Sequence, residues 1–358
     1  MRPAVSLPHS VSLVAAFSLV LASCATTDAG LSAYARHDYE VALETWRPLA
    51  ERGGAEAQFY LGTLYEEGRG ADPDPLEAHE WYLRAAAQGH PGAQTNLGLM
   101  YFEGSGVSQS FDKAYEWFAR AAKRDYPEAQ SNLGVLYLLG EGVERDPVRA
   151  RYWIEEAADG GHPKAQRIAG AMADEGIGGP MDAMLAASRY SIAAEGGDTE
   201  AQVRFGAMLL EGRGVDRDEE RAFEWLTRAA EGGSPDAQFL VGWMHHAGRG
   251  TEPDQEAAMT WLASAASSGG PMAKHALALA CLERSTDRFD GSSVEAAQWM
   301  RIAADEGLAA AQFNLGLMYV RGRGVIRSRS EGIRWFEKAA AQGHPDAVDK
   351  LEILGERW

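Results

Sequence analysis

The sequence predicts an all-α fold, a solenoid of about eight helix-turn-helix units with a capping helix at each end. Three observations carry this: a residue pair returning at a fixed interval, apolar residues at helical spacing within it, and paired glycines followed by a helix-capping residue. Ala57-Gln58, Ala93-Gln94, Ala129-Gln130, Ala165-Gln166, Ala201-Gln202 and Ala237-Gln238 stand 36 residues apart. Ala273-Lys274 keeps the interval, the step to Ala311-Gln312 is 38, and the step to Ala347-Val348 is 36 again. A repeat of this length is one supersecondary unit that cannot bury its apolar face without stacking on copies of itself. Function is therefore expected on a surface rather than in a pocket.

With the alanine as position 0, position 4 is apolar (Leu61, Leu97, Leu133, Phe205, Val241, Leu315), and position 8 is Tyr65, Tyr101, Tyr137, Leu209 or Tyr319. That is the spacing of one helix face. Position 5 is glycine in Gly62, Gly98, Gly134, Gly170, Gly206, Gly242 and Gly316. Glycine inside a helix costs about 1 kcal/mol against alanine, so close approach of the second helix is expected to offset it. A Gly-x-Gly element, such as Gly68/Gly70, then stops the helix. No strand precedes it and no Lys-Ser/Thr follows, so it is not a phosphate loop. Position 17 supplies a cap for the second helix in Asp74, Ser110, Asp146, Asp182, Asp218 and Asp254, with Ser292 and Ser328 in this role in the last two units. Triplets such as Ala78-Trp81-Ala85 and Ala114-Trp117-Ala121 put each tryptophan on a buried stripe of that helix rather than in a ligand-stacking row. Gln88-Gly89-His90-Pro91 and similar loops close the unit, with proline set to open the next helix. His90, His162 and His344 occupy that loop singly and form no metal cluster.

The net charge of -18 comes from 52 acidic and 34 basic residues spread over the units. Such a surface repels phosphate backbones and anionic lipid, which disfavours nucleic-acid binding and favours a basic or neutral partner. Two cysteines, Cys24 and Cys281, cannot form a disulfide framework.

Arg2 precedes an apolar stretch from Val11 to Ala22 that ends Leu21-Ala22-Ser23-Cys24, which reads as a signal peptide over residues 1–23. Twelve residues fall short of the roughly 20 needed to span a bilayer. Leu-Ala-Ser-Cys resembles the bacterial lipobox, which implies cleavage before Cys24 and lipid on that residue. The alternative is an ordinary secretory signal with a chance cysteine. Each buried methylene contributes about 0.8 kcal/mol, so several acyl chains would anchor the protein without a spanning helix. Ala25, where inner-membrane lipoproteins carry Asp, implies the outer membrane, facing the periplasm. Residues 24–33 are expected to form a tether, 34–56 a capping helix around Trp46, 57–346 the eight units and 347–358 a closing helix.

Ala-Gln-x-x-Leu-Gly-x-x-Tyr-x-x-Gly-x-Gly-Val, then a capped helix with Trp and Ala-Ala, then Gly-His-Pro, resembles the Sel-one-like repeat (SLR), a relative of the tetratricopeptide repeat. The resemblance covers roughly residues 35 to 350. It implies a right-handed α/α superhelix whose concave face, lined by first helices, holds proteins or peptides, and it carries no catalytic residues.

Units four to seven depart from the pattern. Arg189 takes the tryptophan place and Ala173 the tyrosine place in unit four, His245 takes the tyrosine place beside Trp243 and His246 in unit six, and Cys281 takes it in unit seven. There Ser285 to Asp290 replace Gly-x-Gly, and a longer loop is expected. Cys281 is expected to be a buried structural thiol. His245, His246 and His275 lie near one another on adjacent first helices, yet no cysteine or carboxylate at ligand spacing joins them, so neither a metal nor a cofactor is expected. Helical angle leaves positions 2, 3, 6, 9 and 10 of the first helix outward. The partner-binding candidates there are Tyr60, Asn96, Asn132, Arg204 and Asn314 at position 3, Glu67, Glu103 and Glu211 at position 10, and Trp243 at position 6 as the anchor. The asparagines are expected to grip a peptide backbone.

The expected function is a non-catalytic scaffold, lipid-anchored in the envelope and binding a protein or peptide partner. The alternatives are an assembly factor for exopolysaccharide export, as the resemblance to SLR lipoproteins implies, or a cell-wall or β-lactam hydrolase. The hydrolase reading lacks the paired cysteines of such members, any Gly-x-Ser-x-Gly and any His-Glu-x-x-His.

Overall fold

The computed structural model describes residues 29–355, in two compact units, one ending at Met181 and one starting at Asp182. All regular elements among the described residues are helices. The first unit holds α1 (29–35), α2 (Tyr39–Glu51), α3 (Ala55–Glu67), α4 (Pro75–Ala87), α5 (Pro91–Glu103), α6 (Phe111–Ala122), α7 (Pro127–Leu139), α8 (Pro147–Asp159) and α9 (Pro163–Glu175). The second holds α10 (Ala183–Glu195), α11 (Thr199–Glu211), α12 (Glu219–Glu231), α13 (Pro235–Ala247), α14 (Gln255–Ser268), α15 (Pro271–Arg284), α16 (Gly291–Asp305), α17 (Ala309–Arg321), α18 (Arg329–Ala341) and α19 (Pro345–Gly355). Within each, consecutive helices pack on one another as an all-α solenoid of helical repeats. No described helix is long and apolar enough to cross a membrane.

The recurring glutamine has a specific task. Gln58, Gln94, Gln130 and Gln166 donate from Nε2 to the carbonyls of Ala50, Ala86, Ala122 and Ala158, each eight residues earlier at the end of the preceding second helix. Gln202, Gln238 and Gln312 repeat the bond in the second unit. The last carbonyls of a helix have no partner within it, so a buried amide at this spot satisfies an acceptor that stacking would otherwise strand.

The glycine at position 5 receives a side chain from the second helix. A Cβ on Gly98 would stand 2.4 Å from the Phe118 ring, and one on Gly62 2.7 Å from Tyr82. Ile154, Leu226, Leu262 and Phe336 fill the same place over Gly134, Gly206, Gly242 and Gly316. These knobs each follow the tryptophan and are large side chains buried to 3% exposure or less. The tryptophan stripe needs correcting accordingly: Trp46, Trp81 and Trp335 are buried, but Trp117, Trp153, Trp225, Trp261 and Trp299 are half-buried. An indole one residue off the knob lies at the edge of the helix pair. In four units a cation three residues on covers its ring, with Arg84, Arg120 and Arg228 4.4–4.5 Å and Lys338 3.8 Å from the centroid.

The Gly-x-Gly elements are backbone devices. Gly104 ends α5 at φ 77, and a Cβ on Gly106 (φ 68) would lie 2.7 Å from the Pro75 carbonyl oxygen, so the turn sits directly on the start of α4. Asp74, Ser110, Asp146, Asp182, Asp218, Asp254 and Ser328 cap the second helices through their side chains.

Four further expectations are corrected. Residues 29–35 are helical, with Ala33 fully buried, so the tether expected over 24–33 does not include residues 29–33. Tyr34, expected to open a single capping helix, lies in α1, and α2 starts at Tyr39 after His37 turns the chain at φ 64. In unit seven the cap is Asp290, not Ser292, and accepts from Ser293 N at 2.8 Å. The stretch between α15 and α16 is no longer than its counterparts, because the two added residues lengthen α16 to 15 residues. Cys24 and the signal segment lie outside the described residues.

Candidate partner-binding face on the first helices

In the first unit Tyr60, Asn96 and Asn132 are half-buried on α3, α5 and α7, while Glu67 and Glu103 are exposed. Tyr60 stacks on Trp46 with centroids 4.7 Å apart. Burial, with Glu56 adding to it, pushes its hydroxyl up to about 12. Glu67 accepts from the Tyr34 hydroxyl at 2.8 Å and pairs with Arg69 at 3.1 Å, whose guanidinium also lies over Tyr34 and Tyr39. Asn96 stands beside the Tyr82 hydroxyl, which donates to Glu66 at 2.6 Å. Burial drives the Glu66 carboxyl above the usual carboxylate range.

In the second unit Arg204 and Glu211 are exposed on α11, with Arg204 3.9 Å from Glu200 and Glu211 3.2 Å from Arg213. Trp243, half-buried on α13, lies under Arg249, 4.9 Å from its ring centroid. Arg249 donates from Nε to Glu219 at 3.1 Å, and hydrogen bonds from Arg249 and Arg217 hold the Glu219 carboxyl down at about 2. Asn314 is not left to grip a peptide: its Nδ2 donates to His275 Nε2 at 2.8 Å. Burial lowers the pKa of His275, in keeping with a neutral ring that accepts this bond.

The three histidines are engaged separately. His245 meets the Phe223 ring edge-on at 5.1 Å, while His246 approaches Gln255 at 3.2 Å and Glu283 at 3.6 Å. Among the described residues no group of three or more His, Cys, Asp or Glu is placed to hold a metal. Cys281 is buried, and desolvation pushes its thiol up to about 11, away from nucleophilic thiolate chemistry.

Sequence reasoning missed a cavity of about 240 Å³ beside Trp243. Leu262, Ala276, Leu279 and Ala280 wall it with Trp243, and His246 and Glu283 stand at its polar side. The signal was available at position 7, which is Leu64, Met100, Leu136, Met172, Met208, Met244 and Met318 elsewhere but Ala280 in unit seven.

The Sel1 repeat model matches residues 55–90, 91–126, 127–162, 199–234, 235–270, 271–308 and 309–344. Residues 163–198, the unit with Arg189 in place of tryptophan, lie outside these seven segments. The fold is similar to that of c5321, a protective antigen of uropathogenic Escherichia coli with an SLR fold, at TM-score 0.82 and 31% identity over 92% of this chain and 71% of that one. A Sel1 repeat protein from Oxalobacter formigenes matches at TM-score 0.61 and 35% identity, over 87% of this chain and 89% of that one. A shorter similarity, 41% over 63 residues, links the chain to the chitin synthase regulator SKT5 of Saccharomyces cerevisiae, covering 18% of this chain and 9% of that protein. The chain thus spans under a tenth of that relative's length. Sel1 repeat solenoids are generally non-catalytic protein-interaction scaffolds. With more than half of its length matched in seven units of the expected anatomy, the chain belongs to the Sel1 repeat family.

Proposed function

We propose that this protein is a non-catalytic adaptor, held in the cell envelope by lipid on Cys24, that binds a protein partner on the face formed by its first helices. The observation that carries the binding reading is the recurrence of half-exposed side chains at position 3 of the first helices within the first compact unit, in Tyr60, Asn96 and Asn132. A repeated surface of this kind recognises an extended segment by shape and by hydrogen bonds to its backbone. The anchor, placed at the outer membrane and facing the periplasm, raises the local concentration of the client there.

Photo-reactive residues at Trp243 and Asn132, with Glu116 and Glu224 on exposed second-helix positions as controls, test the face in living cells. One envelope protein captured from both first-helix sites and from neither control supports the reading. Adducts confined to the controls overturn it. The anchor is tested separately by fatty-acid labelling of the wild-type and Cys24→Ala chains, where equal labelling would remove Cys24 from the account.

A second reading is an assembly factor for a polysaccharide-exporting machine. Local similarity to two proteins named as chitin synthase regulators, from Saccharomyces cerevisiae and Schizosaccharomyces pombe, favours it. Unchanged polysaccharide export after deletion of the gene would sink it.

A further inference from the structure

The cavity beside Trp243 is built by the sequence rather than left by loose packing. Unit seven carries Ala280 where the other seven units carry Leu or Met, and Ala276 where they carry Tyr, Asn, Ile, Arg or Leu. Two long side chains are thereby removed from one spot on α15, and the neighbouring wall is Trp243, the one tryptophan at position 6 of a first helix. Protein interiors are close-packed, so an apolar space of about 240 Å³ open to the partner face is a place for something else to pack. Its wall is also pre-organised. Arg249 lies over the Trp243 indole and is itself fixed by Glu219, so the ring needs little ordering when a ligand arrives.

Size and charge define the occupant. A cavity of about 150 Å³ lined by apolar side chains holds a benzene ring, so this larger one accepts a phenyl or indole group, and an indole wall favours offset or edge-on stacking against it. The Glu283 carboxylate is 60% exposed and 3.6 Å from His246. In a chain of net charge -18, this carboxylate at the mouth of an apolar site selects a cation beside the anchor.

We propose that this cavity receives one aromatic side chain of the partner, and that Glu283 pairs with a lysine or arginine adjacent to it in the partner's sequence. The proposal rests on the reading of the first-helix face as the binding surface and gives that surface its anchor point. Buried aromatic anchors of this type dominate interface energetics.

The test pans random twelve-residue peptides displayed on phage against the immobilised full chain, with free polylysine present to remove peptides held by charge alone. The expected peptides share an aromatic residue next to Lys or Arg. Ala280→Met fills the cavity with a residue type the other units already carry, so the chain should fold, and it should weaken a selected peptide at least about tenfold. Glu283→Gln should weaken the same peptide several-fold, but leave unchanged a version whose basic residue is alanine. Equal affinity for the wild-type and Ala280→Met chains overturns the anchor site while the binding face stands, provided that Arg204→Ala, in the same compact unit, weakens those peptides. Failure to enrich any aromatic-basic peptide also overturns it.

Discussion

Residues 91–126 and 271–308 are two copies of one unit that meet the same packing demands in different ways. In the earlier copy Gly98 lies against Phe118, Met100 fills the core, and Gln94 satisfies the Ala86 carbonyl. In the later copy Ala278 replaces the glycine and Met300 the aromatic knob, both fully buried. Lys274 replaces the glutamine and reaches Glu306 at 2.6 Å instead. The exchange of Gly and Phe for Ala and Met is compensated, since a methyl group added to one helix is matched by a thinner, more adaptable side chain on the other. The exchange of Met for Ala280 is not, and it leaves the cavity. Departures from a repeat are thus of two kinds, those whose partner has changed with them and those that leave space beside a first helix.

The sharpest way to break this comparison is at the knob. Phe118→Ala should destabilise the α5–α6 pair by about 3–5 kcal/mol, through lost burial and the void left behind. Native-state hydrogen exchange of amides in those two helices would read it locally, which suits a repeat array whose unfolding need not be two-state. Gly98→Ala should cost about 1–3 kcal/mol by overpacking, whereas Ala278→Gly should cost no more than about 1 kcal/mol. Equal effects of the two substitutions would show that the knob does not discriminate between the units.

Next in size is the glutamine. Gln94→Leu removes the donor to the Ala86 carbonyl, and a buried acceptor left unpaired costs about 1–3 kcal/mol. Lys274→Gln, at the position where no such bond exists, should change stability by less than about 0.5 kcal/mol. Urea titrations of the two variants side by side check the pair. A Gln94→Leu chain as stable as the wild type would mean that water replaces the lost donor.

Much of this anatomy was legible beforehand, and what escaped did so for identifiable reasons. The interval, the glycine stops and most of the caps follow from local chemistry, because each depends on one residue and its immediate backbone. The knob escaped because tryptophan is the louder signal, whereas Tyr82, Phe118, Ile154 and Leu226 share a position but no residue type. Asp290 escaped because Ser292 is also a good cap, and only the packing of α16 chooses between them. Asn314 was assigned to a ligand although His275, 39 residues earlier, already takes its amide. The cavity was hardest, since Ala276 and Ala280 are ordinary helix formers and become informative only when Trp243 is known to stand across from them.

Ala280→Met also predicts a stability change independent of any ligand. Filling the space with the side chain used by five other units, as at Met100 and Met244, should raise stability by about 0.5–2 kcal/mol. The gain should appear as slower exchange in α13, α14 and α15, whose side chains wall the cavity, and leave α5 and α6 unchanged. A loss of stability would show that neighbouring helices have closed in behind Ala280 and that unit seven is packed as fully as unit two.

The smallest effect separates the units by their first-helix caps. His90 and His162 accept from the backbone N–H of Ala93 and Ala165 through Nδ1, while Asp198 and Ser234 do the same work for α11 and α13. Accepting requires a ring nitrogen without its proton. Burial lowers both histidine pKa values, and nearby carboxylates, Glu56 for His90 and Glu128 for His162, oppose the shift without cancelling it. A pKa below the unfolded value of about 6.5 means that the unfolded chain binds more protons near that pH, so stability rises with pH through the window. The contribution is complete above about pH 6.5 and is lost as pH falls through the lower folded-state value. Replacing both histidines with serine keeps the caps and removes their titration. The double variant should hold its exchange protection in α5 and α9 as the pH is lowered from 7 to 5, while the wild type loses some, and α11 and α13 should respond alike in both chains. Equal acid responses of α5 and α9 in the two chains would assign the loss to other groups, with His79, also lowered by burial, the first to examine in the same unit.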